Sequence, residues 1–303
     1  MAIQKELWVA YIMGNLFKDN EVLNSVFRED DFVINGAVVH IPQAGSKPTV
    51  TKNRSSFPAT VVTRTDTDIT YALDAYSTPP TKIPNIERYE LSYDKQDSVL
   101  GEHVDALQET ITDDLLIKWA PALTANILRT TGDAVAAHMP SATGNRKTFV
   151  KEDLKRAQAR LNKLNISKKN RFAVMSTDMH SQLLDDADLK VRDFGGELNM
   201  RDGHIDMLYG FKVLERSDVV VYDNATPPAV KALGAAGAAA DNDAVICFEK
   251  NSLAMALGKV DFFEDLSNPL YYGDIYSAEV RCGGRKRRTN EEGVVAIVQA
   301  ASA

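Results

Sequence analysis

Residue types able to do chemistry are present in this 303-residue chain, but they are dispersed. Ser141 to Thr148, SATGNRKT, carries the glycine and basic residues of a phosphate-binding loop. Arg146 stands before Lys147, so the Gly-Lys-Thr junction is missing, and no apolar strand leads into the segment. The histidines His40, His103, His138, His180 and His204 fall into no HExxH or comparable ligand spacing, and no metal site is expected. His103 reads as a surface residue. Asp185, Asp186 and Asp188 are hard-cation donors by type, but they lack a glycine turn and a bidentate glutamate, and read as a solvated helix end. Asp113 and Asp114 are adjacent. Helical neighbours point about 100° apart, so the two carboxylates do not converge on one substrate. No serine occupies a Gly-x-Ser-x-Gly elbow, and neither Cys247 nor Cys282 has a histidine nearby in sequence. No catalytic residue, cofactor or metal is assigned. The one concentrated positive patch is Arg285, Lys286, Arg287 and Arg288. Its commoner reading is a solvated turn; its functional reading is contact with phosphates or with an acidic neighbouring surface.

The bulk numbers bound what such residues can serve. Hydrophobic residues make up 44% and charged residues 25%, normal for a soluble globular protein of one elaborate or two ordinary domains. A formal net charge of -7 argues against a dedicated nucleic-acid binder. Two cysteines form no disulfide framework and suit a reducing cytoplasm, with a single bridge left open. No apolar run approaches a membrane span, and the charged start MAIQKELWVAYIMGNL is not expected to be a signal peptide.

The element that must position everything else is SVLGEHVDALQETITDDLLIKWAPALTANILRTT, residues 98–131. Leu100, Val104, Leu107, Ile111, Leu115, Trp119, Leu123 and Ile127 recur at steps of three or four, one apolar stripe on a helix. Glu102, Asp105, Glu109, Thr112, Asp113 and Lys118 fall off it. Pro121 lacks an N–H and predicts a bend or break near Ala120, with the stripe continuing beyond. Before this helix, residues 4–18 read as an amphipathic helix that needs a partner surface, and Val22 to Phe27 as a further short helical turn. Asn35-Gly36 marks a hairpin. From Val50 to Tyr93 the chain is polar and Thr-rich. DITYALDAY alternates with a period of two, and ATVVTRT before it predicts a long hairpin. With too few apolar residues for its own core, this excursion is expected to project and find partners on another subunit.

After the helix, VKEDLKRAQARLNKLN predicts a helix with Leu154, Ala157, Leu161 and Leu164 inward. RFAVM predicts a strand, and Ser176-Thr177 the cap of a second helix. IDMLYGFKVLE reads as strand, glycine turn, strand. VKALGAAGAAADND, 230–243, predicts an exposed loop. AVICF, DIYSAEVRC and GVVAIVQA read as closing strands. There is no internal repeat.

This order of parts, with LSYDKQDSVLGEHVDAL, LKRAQARLNKLN…RFAVMSTDMHSQLL and LYGFKVLERSDV, resembles the major capsid proteins of tailed bacteriophages with the Hong Kong 97-type fold. The resemblance covers nearly the whole chain and implies an α+β fold. It divides the chain into an N-terminal arm (1–31), a peripheral-domain hairpin (32–49), an extended E-loop (50–93) and a spine helix with its connection (94–148). An axial domain (149–243) and return strands (244–303) complete it. It implies a structural protein, not an enzyme, that self-assembles into hexamers, pentamers and an icosahedral shell around double-stranded DNA. It further implies a separate scaffolding protein, a portal, no membrane, synthesis in the host bacterial cytoplasm and residence in the virion. Arg285 to Arg288 would then line the inner surface or an intersubunit seam. Three other classes stay open: an encapsulin-like compartment shell sharing the fold, a cytosolic α/β enzyme with a site built from distant residues, and another virion component such as a tail protein.

Overall fold

A computed structural model describes residues 20–34, 37–43, 50–55, 57–58, 61, 63, 67–84, 95–185, 205–288 and 290–302. The expected helix at residues 4–18, most of ATVVTRT, and Asp186 and Asp188 lie outside the described residues.

In chain order, helix α1 (Glu21–Asn24) is capped by Asn20, whose side chain accepts from the Leu23 N–H. Strands β1 (Phe27–Arg28), β2 (Val33–Ile34), β3 (Val38–Gln43), β4 (Thr67–Ala72), β5 (Asp74–Ser77) and β6 (Thr81–Pro84) lead to the long helix α2 (Lys95–Trp119). Then come β7 (Ile127–Arg129), β8 (Ala134–Ala136), β9 (Asn145–Lys147), helix α3 (Lys151–Lys163), β10 (Arg171–Ser176) and helix α4 (Thr177–Leu184). Strands β11 (Met207–Leu208), β12 (Phe211–Arg216), β13 (Val220–Tyr222), β14 (Asn242–Glu249), β15 (Leu253–Asn268), β16 (Gly273–Lys286), β17 (Val294–Val298) and β18 (Ala301–Ser302) complete the chain.

Helix α2 has 25 residues, about 38 Å at the α-helical rise. Its stripe buries Val104, Leu107, Ile111, Leu115 and Trp119, with Leu116 beside them. The side chain of Leu100 is not described. The break expected near Ala120 is present, the helix ending at Trp119, but the expected continuation of the stripe past Pro121 is wrong. The residue before a proline is pushed out of the α region, and Pro121 has no N–H to extend the ladder. A 3-10 turn at Thr124–Asn126 follows, so Leu123 is 46% exposed and contributes nothing to the core around α2. Ile127 is buried, but on β7. Two polar residues are also corrected. Thr112 is buried because its hydroxyl donates to Gln108 O (2.6 Å) and accepts from Asn20 Nδ2 (2.8 Å). His103, expected at the surface, is buried too.

The helix packs between two sheets. In the first, β15 and β16 form a long antiparallel hairpin, with β1 parallel to β15 and with β5 and β6 antiparallel to β16. The Trp119 indole N–H donates to Ala254 O at 3.1 Å across this contact. Gly284 permits the approach, since a Cβ there would stand 2.6 Å from Leu115 Cδ2 and 2.9 Å from Trp119 Nε1. The second sheet runs β11-β12-β10-β14-β17-β7, with β13 on β14. Its alternation assigns two faces. Val174, Leu214, Ile246, Phe248, Ala296 and Val298 join the core containing α2. Ala173, Met175, Val213, Val245, Cys247, Val295 and Ile297 join the core containing α3 and α4. The expected helix–strand–helix unit is present, Ser176 capping α4 through Met179 N. So is the β11–β12 hairpin, turning on Tyr209 and Gly210 at positive φ.

The 50–93 excursion needs correction in its described second half. Strand β4 pairs with β3, from Val38↔Ala72 to Gln43↔Thr67, and β5 and β6 lie along β16. Residues 67–84 are thus seated on their own chain, and DITYALDAY, expected as one alternating run, breaks at Leu73 into two strands in different sheets: Tyr71 and Leu73 turn inward, but Ala75 is exposed and Tyr76 half-buried. Strand β15, the longest among the described residues, has no counterpart among the sequence expectations.

Candidate functional site

Three of the four clustered cations serve joints within the chain. Glu29, at 1% exposure, sits just after β1, where its N–H donates to Met255 O at 2.8 Å. Its Oε1 accepts from Arg285 Nη2 and Arg287 Nε, each at 3.1 Å. Its Oε2 accepts from Arg285 Nε and the Tyr71 hydroxyl, each at 3.2 Å. The Arg287 guanidinium lies 4.3 Å from the Phe27 ring centroid and that of Arg285 5.7 Å from the Tyr71 ring centroid, both within cation–π range. Burial, with Glu29 next to it, pushes the Tyr71 phenol far up, so it stays protonated and donating. One carboxylate therefore joins the segment after α1, strand β4 and strand β16.

Lys286 makes a second joint. Its ammonium donates to Ala120 O (2.9 Å), just past the end of α2, and to Glu291 Oε1 (2.6 Å). A cation at a helix C-terminus is favourably placed against the helix dipole. Glu291 accepts in turn from the N–H groups of Ala122 (2.9 Å) and Leu123 (2.9 Å), the donors left over when Pro121 stops the helix. Burial alone would raise this carboxyl. The hydrogen bonds from Lys286 and from those two N–H groups outweigh it and hold the group below its ordinary value. Arg288 is the most exposed of the four and pairs with Glu292 at 3.3 Å.

The segments screened for chemistry resolve structurally. In SATGNRKT the Arg146 guanidinium turns inward, donating to the carbonyls of Thr143, Asn145, Ala239 and Asp241 at 3.0–3.2 Å. The loop is closed by its own arginine. Asp113 pairs with Arg216, and Asp114 with Lys118 and Tyr76, so the adjacent carboxylates diverge. The fold brings together one group that sequence spacing did not reveal: His138, Ser176 and Asp243. Both the Ser176 hydroxyl and His138 Nε2 (3.0 Å) bond to Asp243 Oδ2. The aspartate is in the middle, so the imidazole does not take up the serine proton as a nucleophilic triad requires. The Asp243 hydrogen bond raises His138 above its ordinary value against an opposing burial effect. Both cysteines are free and buried; burial pushes the Cys282 thiol up to about 12. Among the described residues no cluster of His, Cys, Asp or Glu could hold a metal ion, and no helix is long and apolar enough to cross a membrane.

What the fold leaves uncovered is apolar. At the end of the β15–β16 hairpin, Leu270 is 82% exposed and Tyr272 80%, with Phe263, Leu266 and Tyr271 beside them. Their backbone is fixed. The Asn268 side chain accepts from Leu270 N (2.9 Å) and Asp274 accepts from Ser267 N (2.7 Å). Of the expected exposed loop 230–243, residues 232–240 are exposed, but Asp241, Asn242 and Asp243 are buried, the last two because they open β14; the Lys231–Asp241 pair (2.8 Å) pins the loop at its base. These geometries suit a protein that works through its surfaces.

Comparison with known proteins agrees. No curated protein matches the chain. Among solved structures, the capsid of cyanophage P-SCSP1u superposes with a TM-score of 0.67 at 14% identity, over 92% of this chain and 87% of that one. A chain from Mycobacterium phage Che8 gives 0.61 at 20% identity, over 90% and 89%. A virus-like particle from Pyrococcus furiosus gives 0.52 at 10% identity, over 97% and 99%. At such identities the likeness shows a shared capsid fold, as the α+β expectation held. A family model described as phage capsid protein matches residues 92–299, a span that includes helix α2 and strand β17, and the chain belongs to that phage capsid protein family.

Proposed function

We propose that this chain is a major capsid protein, the repeating subunit of an icosahedral shell of hexamers and pentamers around a packaged double-stranded DNA genome. Family membership supports the shell role, and the capsid family is structural, which is the ground for reading the chain as a non-enzyme. The observation that carries the reading is the β15–β16 hairpin end. Leu270, Tyr271 and Tyr272 stand on a backbone fixed by its own hydrogen bonds, at the tip of strands 16 and 14 residues long. Apolar side chains held rigidly in water gain stability only by burial against another molecule, and in a closed lattice that contact repeats with every copy. A separate scaffolding protein, a portal and the packaged DNA complete the proposed partners, with synthesis in the host bacterial cytoplasm and the virion as destination. Of the four clustered cations, Arg288 keeps the most open surface for a seam or DNA contact.

The test is expression of the full chain, alone and with its neighbouring genes, followed by negative-stain microscopy. Closed shells containing DNA support the proposal. Shells containing enzyme cargo mark the compartment reading, and rings, tubes or fibres mark a tail component. A chain that stays monomeric at high concentration contradicts all shell readings.

A further inference from the structure

The cations that stay free are not those of the Arg285–Arg288 run. On α3 and the turn after it, Lys155, Lys163, Lys168 and Lys169 are all exposed, and none has an ion-pair partner among the described residues. Their neighbours are already engaged: Arg156 by Asp153 Oδ1 (3.0 Å) and Arg129 O (2.8 Å), Arg160 by Asn126 Oδ1 (3.1 Å). On α2 the opposite charge is left over. Glu102, Asp105 and Glu109 are exposed, follow one another at helical spacing on the face away from the stripe, and have no ion-pair partner among the described residues. Asp113 and Asp114, further along, are both paired. The two rows match in length: Glu102 to Glu109 spans about 10 Å and Lys155 to Lys163 about 12 Å.

Their placement decides what they fit. Helix α2 packs on one face of the β10–β14–β17 sheet and α3 on the other, so the acidic and basic rows are carried by helices on opposite faces of one sheet. A single head-to-tail operation would bring the basic row of one copy against the acidic row of the next, a contact whose repetition forms a ring when its rotation closes. A duplex bound through its phosphates would account for the lysines and leave Glu102, Asp105 and Glu109 without a role. We propose that these rows are the two halves of a charge-complementary contact between adjacent copies of this chain within a ring-shaped capsomer. The inference rests on the shell reading. Failure of the unaltered chain to form closed particles would sink that reading itself, whereas the variants below test only the contact.

The experiment compares three forms of the full-length chain, each checked for folding by circular dichroism and thermal melting. One carries Lys155→Glu, Lys163→Glu, Lys168→Glu and Lys169→Glu, the second Glu102→Lys, Asp105→Lys and Glu109→Lys, and the third all seven changes. Each partial reversal sets like charges opposite one another at every contact. The yield of particles by sedimentation is expected to fall roughly tenfold or more, while the seven-fold swap restores it. If a reversed chain does not fold, the Lys→Gln set takes its place, and its assembly is expected to weaken and lose its salt dependence. Two results overturn the contact. One is full assembly by either partial reversal. The other is a lysine variant that assembles normally but retains no DNA, which would assign the lysines to phosphate binding instead.

Discussion

Glu29 and Arg285 are 256 residues apart in sequence and meet through two hydrogen bonds, Nε to Oε2 at 3.2 Å and Nη2 to Oε1 at 3.1 Å. Arg287 adds a third to the same carboxylate. The pair fixes where the chain after α1 lies against the β15–β16 hairpin, and Tyr71, near the end of β4, is tied to the same carboxylate.

Removing that carboxylate leaves two guanidinium groups facing each other in a partly buried site. Glu29→Gln is expected to destabilise the unassembled subunit by about 2–3 kcal/mol, below the range for fully buried pairs because Arg287 keeps some solvent. Urea unfolding of unassembled subunits measures it. A change within about 0.5 kcal/mol, the usual size for a surface site, would show that the joint is not a stability element.

The spine contact makes a second prediction. Trp119→Ala empties a fully buried site and should cost about 3–5 kcal/mol. Gly284→Ala places a methyl 2.6 Å from Leu115 Cδ2 and should cost about 1–3 kcal/mol by overpacking. Because the two substitutions share one contact, Gly284→Ala should cost less in the Trp119→Ala background. A near-neutral Trp119→Ala would place that face of the helix outward.

Stability should depend on pH at both ends of the ordinary range. The folded carboxyl of Glu291 lies below its unfolded value near 4.5, so its contribution is present above that pH and lost as pH falls through the folded value. His138 lies above its unfolded value near 6.5, so its contribution is complete below that pH and lost as pH rises through the folded value. Glu291→Gln should flatten the acid limb of a melting-temperature profile, and His138→Gln the decline above about pH 6.5. Identical profiles for variant and unaltered chain would show that these groups are not linked to folding.

The hairpin end separates stability from assembly. Leu270→Ser and Tyr272→Ser remove exposed side chains, so subunit melting should stay within about 0.5 kcal/mol of the unaltered chain. Particle yield should fall severely. Unimpaired assembly would remove the tip from the contact surface.

Much of this was legible in local pattern. The α2 stripe, the α3–β10–α4 unit and the β11–β12 turn each follow from residues close in sequence, through periodicity, a serine cap and a glycine at positive φ. Three features do not follow from simple periodicity, and one of them depends on partners far away. Leu123 has the right spacing for the stripe, yet Pro121 stops the helix before its side chain can join it. Strand β15 escapes because its apolar residues fall in two runs, LAMAL and VDFF, broken by Gly258-Lys259 where the pairing register shifts. Arg285, Lys286 and Arg287 look like a free cationic patch because Glu29 is more than 250 residues away and the Ala120 carbonyl 166. Lys155 and Lys163 on α3, which no motif singles out, are by contrast exposed and without an ion-pair partner among the described residues.

The central claim is that this chain is a shell subunit whose exposed hairpin end is covered by other copies. Cryo-electron microscopy of particles assembled from the full chain tests it most directly. The account predicts closed icosahedral shells of hexamers and pentamers, with Leu270, Tyr271 and Tyr272 buried between neighbouring subunits. Open tubes or isolated monomers, or closed shells in which those three side chains still face solvent, would contradict it.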